Sequence, residues 1–148
     1  MTAALSPDGV FTTHRVFPCP AADIFAAFAN PACLARWWGP EGFSNTFELF
    51  EFQPQGRWKF VMHGPDGTDY ANESRFVETS ANRIVIKHCC APDFTLSITL
   101  TETEGHTRLD WRQAFDDPQV AAAVAHIVQP ANEQNLDRLQ AVLAATTP

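Results

Sequence analysis

The side chains that could do chemistry are few, and they stand among apolar neighbours. His88 precedes Cys89 and Cys90, Tyr70, Asn72 and Ser74 alternate along one run, and Gln113 follows Trp111 by two. Residues two apart share a face of a strand, so each set can converge on one side of a sheet. An imidazole titrates in the range useful to a general base. It needs an orienting partner and a substrate within hydrogen-bond reach; without them, His88 is a structural histidine. His88-Cys89-Cys90 also raises metal binding. On a strand His88 and Cys90 point one way and Cys89 the other. A closed site needs four ligands in supporting geometry, so the expectation is no metal and no cofactor. No nucleophile elbow, phosphate loop or dinucleotide fingerprint occurs. Glu73 and Arg75 share the other face of their strand and read as a surface pair of little worth. His126 and Gln129 are as suited to solvent as to a cavity, and His14, His63 and His106 have no visible partner.

Extended segments must position these residues. The run Val10 to Phe17 is rich in β-branched and aromatic residues and reads as a first strand, after a loose arm over Met1 to Gly9. From Arg15 to Gly42 the chain reads as a strand end, then a helix and a second short helix. Pro18-Cys19-Pro20 suits a first turn, and Ile24, Phe25 and Phe28 fall at helical spacing. Asn30-Pro31 stops that helix. Ala32 to Trp38 adds a second short one, ended by Gly39-Pro40. On it, Trp37 and Trp38 diverge, one toward a core and one toward a rim.

Six strands follow: Thr46 to Gln53, Arg57 to His63, Asp69 to Thr79, Arg83 to His88, Phe94 to Thr101 and Thr107 to Phe115. Turn signals separate them, with Gly64-Pro65-Asp66-Gly67 the strongest. Phe94, Leu96, Ile98 and Leu100 alternate with Thr95, Ser97, Thr99 and Thr101, the pattern of an antiparallel strand wet on one face. Beyond Asp116 the period changes. Asp117 can cap and Pro118 suits a first helical position, so a helix runs to about Ala145. Its apolar stripe is Val120, Val124, Ile127, Val128, Ala131, Leu136, Leu139, Val142 and Leu143. The stripe largely keeps phase across Pro130, so a kink is expected there and not a break.

Composition bounds the partners. The chain has 148 residues, the size of one domain. Hydrophobic residues make up 45% and charged ones 18%, which suits a compact fold and excludes a disordered one. Twelve Phe and four Trp against one Tyr bias it toward dry aromatic surface. A net charge of −7 argues against nucleic acid and against an anionic membrane surface. No signal segment or membrane-length apolar run is visible. Cys19, Cys33, Cys89 and Cys90 contain no C-x-x-C spacing and read as free thiols of a cytoplasmic protein. Small soluble domains commonly pair symmetrically, which makes a homodimer an expectation.

The opening block Arg15…Pro20…Ile24-Phe25…Asn30-Pro31…Leu34…Trp37-Trp38-Gly39-Pro40 resembles that of the START-like (SRPBCC) helix-grip proteins. The branch it is most similar to is the activator-of-Hsp90-ATPase-homologue-like (AHSA1-like) domains, over roughly residues 11 to 145. The relatives often read Pro-Gly-Gly where this chain has Pro54-Gln55-Gly56, and often carry Gly-Trp where it has Ala131-Asn132-Glu133. The resemblance implies an α+β helix grip: a twisted antiparallel sheet wrapped around a long C-terminal helix, with two short helices after the first strand. The element order leads there independently, because an amphipathic helix must bury its stripe against a sheet face.

With the apolar strand faces turned toward that helix, the inward set is Trp58, Phe60, Met62, Phe76, Ile84, Ile86, Phe94, Leu96, Ile98, Leu109, Trp111 and Phe115. The expected ligand contacts are Trp38, Trp58, Phe60, Met62, Tyr70, Asn72, Ser74, His88, Trp111, Gln113, Val128 and Asn135. An apolar pocket with a few oriented polar groups is the pattern of a small-molecule site; a filled core in which those groups satisfy one another is the other arrangement. Three roles stay open. One is a module holding a hydrophobic or aromatic small molecule. Another is a cyclase- or isomerase-like enzyme using His88, Tyr70 or Gln113, and the third is a chaperone-interacting protein, which the family name implies and the lone domain weakens.

Overall fold

The computed structural model describes residues 4–146. One antiparallel sheet holds eight strands: β1 (Ala4–Leu5), β2 (Val10–Phe17), β3 (Ser44–Phe50), β4 (Arg57–His63), β5 (Asp69–Ser80), β6 (Arg83–His88), β7 (Phe94–Thr103) and β8 (His106–Phe115). Its order is β1-β2-β8-β7-β6-β5-β4-β3. The helices are α1 (Ala21–Ala29), α2 (Pro31–Trp37) and α3 (Pro118–Thr146). The loose arm expected before Val10 is corrected in part, since Ala4 and Leu5 pair with Thr12 and Phe11; residues 1–3 of that arm lie outside the described residues.

Strand β2 lies beside one edge of the sheet and β3 forms the other edge. The short helices carry the chain between them, and α2 packs on both β3 and α3. Pro31 ends α1, as expected, and begins α2. Asn30 does more than stop a helix: its side-chain oxygen accepts from the Ala32 and Cys33 amides at 3.0 and 3.3 Å, capping α2. Asp117 caps α3 in the same way through Gln119 N–H, at 2.9 Å. Helix α3 runs through Pro130 without a break. A proline there forfeits one backbone bond, but the helix face on either side is anchored in packing.

Register shifts mark bulges in β3 between Phe47 and Leu49 and in β5 between Phe76 and Glu78. A bulge bends its strand and increases the local twist, which curls this half of the sheet. The expected strand faces hold. Trp58, Phe76, Ile84, Leu96, Ile98, Leu109 and Trp111 form one buried cluster with Leu34, Trp37, Leu136 and Leu139. Phe115 instead joins Phe11 and Ala121 in a second, smaller cluster. Ile127 leaves the stripe expected for α3, standing 58% exposed. Among the described residues no helix is long and apolar enough to cross a membrane.

Candidate functional site

The space between sheet and α3 is not filled. A cavity of about 240 Å³ opens there, walled by β4 to β8, by α3 and by the Trp38-Gly39-Pro40 segment after α2. The two tryptophans diverge as expected, but Trp38 lies outside the helix, in extended backbone. Trp37 is fully buried and donates Nε1–H to the Ala27 carbonyl at 3.1 Å. Trp38, the first residue beyond α2, turns its ring to the cavity between Trp58 and Trp111, at centroid distances of 5.2 and 6.2 Å.

Helix α3 holds that segment in place. Asn135 accepts from Gly39 N–H at 3.2 Å and donates to the Trp37 carbonyl at 2.8 Å. Arg138, one turn on, donates to the carbonyls of Trp38, Gly39 and Pro40 at 3.1, 3.0 and 2.9 Å. Its other nitrogen reaches the Arg36 and Phe43 carbonyls at 2.8 and 2.9 Å. The two terminal nitrogens carry two N–H groups each, so the three carbonyls around Nη1 share its two donors. Burial lowers the Arg138 pKa but leaves it a cation, as arginines remain in proteins.

Of the expected contacts, Trp38, Phe60, Met62, Asn72, Ser74, His88, Trp111, Gln113 and Asn135 line the cavity. Three do not, and each has a physical reason. Trp58 is fully buried behind the wall, stacked on Phe60 with centroids 4.2 Å apart. Tyr70 is 47% exposed at the start of β5, beside the Phe43 ring. Val128 packs on the Phe11–Phe115 cluster. Sequence reasoning missed Asn132 as a lining residue. It sits three residues before Asn135, on the same helical face, and that spacing was a usable signal. Gly39 and Pro40 line the site through backbone position, which no side-chain pattern reports. His126 is exposed and stands away from the cavity.

His88 is the one ionisable side chain in the wall. Its ring stacks on Phe94, with centroids 4.5 Å apart. Nδ1 lies 2.9 Å from the Pro92 carbonyl and Nε2 lies 2.8 Å from Asn72 Oδ1. Only the doubly protonated ring satisfies both oxygens at once. Burial opposes that cation most strongly and lowers the pKa from its ordinary 6.5, against the Pro92 hydrogen bond and the Asp93 charge, which raise it. In the neutral ring Nδ1–H donates to Pro92, and the Cys90 thiol, 3.2 Å from Nε2, is the donor facing the other nitrogen. His88 and Cys90 thus meet as their spacing suggested, while Cys89 is exposed.

Two surface expectations are corrected. Glu73 pairs with Arg57 across the strands at 3.9 Å and not with Arg75. His63 is partnered, between Asp69 at 2.7 Å and Thr46 at 2.7 Å. These partners stand on neighbouring antiparallel strands, which linear reading does not show.

A family model described as activator of Hsp90 ATPase homolog 1-like protein matches residues 18–144. The chain belongs to the AHSA1-like family. The match covers that opening block from Pro20 through Pro40 and leaves out Arg15. Solved structures agree on the fold of this AHSA1-like chain. A protein from Arthrobacter aurescens superposes with a TM-score of 0.90 at 20% identity, over 99% of this chain and 92% of that one. A Mycobacterium smegmatis protein gives 0.85 at 22% identity, over 99% of both chains. An AHSA1 protein from Silicibacter pomeroyi gives 0.73 at 20% identity, over 93% and 99%. Identities this low carry the helix grip of the AHSA1-like family and nothing finer. No curated protein matches the chain.

Proposed function

We propose that this AHSA1-like chain binds a small hydrophobic or aromatic molecule between its sheet and its C-terminal helix, without turning it over. One observation carries the reading. The cavity of about 240 Å³ has a wall of aromatic and aliphatic side chains with a few neutral polar groups and no Lys, Arg, Asp or Glu. Apolar enclosure with sparse oriented polar atoms is what small-molecule sites share. Turnover would fall to His88, the lone ionisable group of the wall. Both its ring nitrogens are engaged by the protein's own groups, which favours holding over proton transfer. A chaperone-related role is supported by the family description alone. The large exposed apolar side chains Val16, Tyr70, Val77 and Ile127 are spread over β2, β5 and α3.

The test is native mass spectrometry of protein purified from its own host, followed by denaturing release. A co-purifying apolar molecule that is lost when Trp111→Ala opens the wall supports the reading. Protein that carries nothing and takes up no apolar probe in titration overturns it.

A further inference from the structure

Another group of side chains that could do chemistry stands on the opposite face of the sheet. Phe60, Met62 and Asn72 line the cavity and Phe47 packs on the core. Their strand neighbours Thr46, Val61, His63 and Ala71 therefore point away from it. His63 stands directly opposite Asp69 on β5 and Ser44 on β3. Thr46 is two residues on from Ser44, a diagonal neighbour that a long side chain still reaches. Two short contacts result. Thr46 Oγ1 lies 2.7 Å from His63 Nε2, and His63 Nδ1 lies 2.7 Å from Asp69 Oδ1.

The order of the three groups has a chemical meaning. A carboxylate only accepts, so in the neutral ring Asp69 holds the proton on Nδ1. The Nε2 lone pair then faces the Thr46 hydroxyl, which donates to it. A hydroxyl, an imidazole and a carboxylate linked through these atoms are the arrangement that activates an oxygen nucleophile. Thr46 is exposed. Val61 stands across from it and Ala71 across from Val61, so the side chains beside the hydroxyl are short. Lys59 lies two residues before Val61 on the same face, and its ammonium has no hydrogen bond or ion pair among the described residues. Two strand residues span about 6.7 Å, a distance that the four-carbon lysine stem covers.

We propose that Thr46, His63 and Asp69 form a surface site at which Thr46 takes the acyl group of activated esters. Thr46 Oγ1 bonds to the acyl carbon while its proton passes to His63 Nε2. The carbonyl electron pair moves onto oxygen, where the Lys59 ammonium meets the charge. The pair then returns and the bond to the leaving group breaks. That group departs with the bonding electrons and takes the proton from Nε2, leaving an ester on Thr46. Water, deprotonated by His63, releases the acyl group as a carboxylic acid. Asp69 is a positioning residue that fixes the ring. One mobile cation in open solvent stabilises the oxyanion less than fixed N–H donors do, which restricts the substrates to esters with good leaving groups. The inference is independent of the ligand-site reading, since none of these residues lines the cavity.

The experiment treats the whole protein with p-nitrophenyl acetate at neutral pH. Acetylation is read residue by residue by tandem mass spectrometry, after neutral hydroxylamine has stripped acetyl groups from thiols. Thr12 and Thr101 are exposed strand threonines hydrogen-bonded to no histidine among the described residues, and they serve as references. The expected result is that Thr46 is acetylated at least about a hundredfold faster than either. His63→Gln should bring Thr46 down to their rate. Asp69→Asn should slow it by about tenfold or more, and Asp69→Glu should restore part of that loss. Lys59→Met should slow it by about fivefold. The substituted side chains lie on the outer face, away from the core cluster, so the variants keep the fold. Acetylation of Thr46 no faster than the reference threonines, or a rate unchanged by His63→Gln, overturns the proposal. A rate unchanged by Asp69→Asn overturns the positioning role of Asp69, and one unchanged by Lys59→Met overturns the part given to Lys59.

Discussion

At the scale of single residues, the cavity is defined by how its polar groups are tied. Asn135 spends both ends of its amide on the backbone around Trp37 and Gly39, so it belongs to the frame. His88 is likewise held by Pro92, Asn72 and Cys90. Its titration gives a prediction with a definite sign. Burial lowers the folded pKa below 6.5, so the unfolded chain takes up the proton more readily. Stability is then complete above that ordinary value and is lost as pH falls from it toward the folded pKa. In thermal melts from about pH 7.5 down to about pH 5, the native protein should lose more stability than His88→Gln. Curves that stay parallel across that window would remove the buried neutral histidine from the account. A residue's burial was legible from strand alternation, and so was the nearness of Cys90, but the other partner was not: Asn72 reaches His88 only because β5 and β6 lie side by side.

Elements place these residues through two fixings, a corner and a brace. The corner Pro54-Gln55-Gly56 joins β3 to β4. Gln55 has φ of +69°, a left-handed conformation in which glycine is unstrained. That gives a physical reason for the Pro-Gly-Gly common among relatives. A Cβ on Gly56 would meet the Glu51 carbonyl oxygen at 1.9 Å and the Gln53 oxygen at 2.9 Å. These are backbone atoms of the same turn and cannot rotate away. Gln55→Gly should therefore be neutral or stabilise by up to about 1 kcal/mol, as lost strain outweighs added chain entropy. Gly56→Ala should destabilise by about 3 kcal/mol or more. Urea titrations of both variants check the pair, and a tolerated Gly56→Ala would sink the clash argument. The brace is Arg138, whose five carbonyl bonds tie α3 to residues 36–43. Arg138→Met should cost about 2–3 kcal/mol, because charged donors and several carbonyls lose partners together. Arg138→Lys should recover less than half, since an ammonium has three donors and no planar fork. Equal melting temperatures for the Lys and Met variants would mean the stem packs and the bonds contribute little.

For the whole molecule, the sheet and the three helices share one buried cluster that runs from Phe17 and Ile24 through the strands to Leu143. We propose that the chain unfolds as a single unit. Far-ultraviolet circular dichroism and tryptophan fluorescence should then trace one coincident urea transition; two separated transitions would overturn this. Within that unit Leu136→Ala, at a fully buried position, should cost about 2–5 kcal/mol, and Ile127→Ala, at an exposed one, less than about 0.5 kcal/mol. By itself the sequence determined the elements from β2 onward, most of their faces and the helix grip, but not the strand β1. Each of those follows from local chemistry: proline and asparagine at helix ends, alternation along strands, and an apolar stripe seeking a sheet. It also named nine of the side chains now found around the cavity. Only the tertiary structure decided that the core is left open there, that Trp58 lies behind the wall, and that Tyr70 and Val128 stand elsewhere. It alone decided which polar atoms are satisfied. Those outcomes depend on two bulges that curl the sheet and on pairings between residues far apart in the chain. Periodicity assigns a side chain to a face, but the distance between opposed faces is set by how the layers pack.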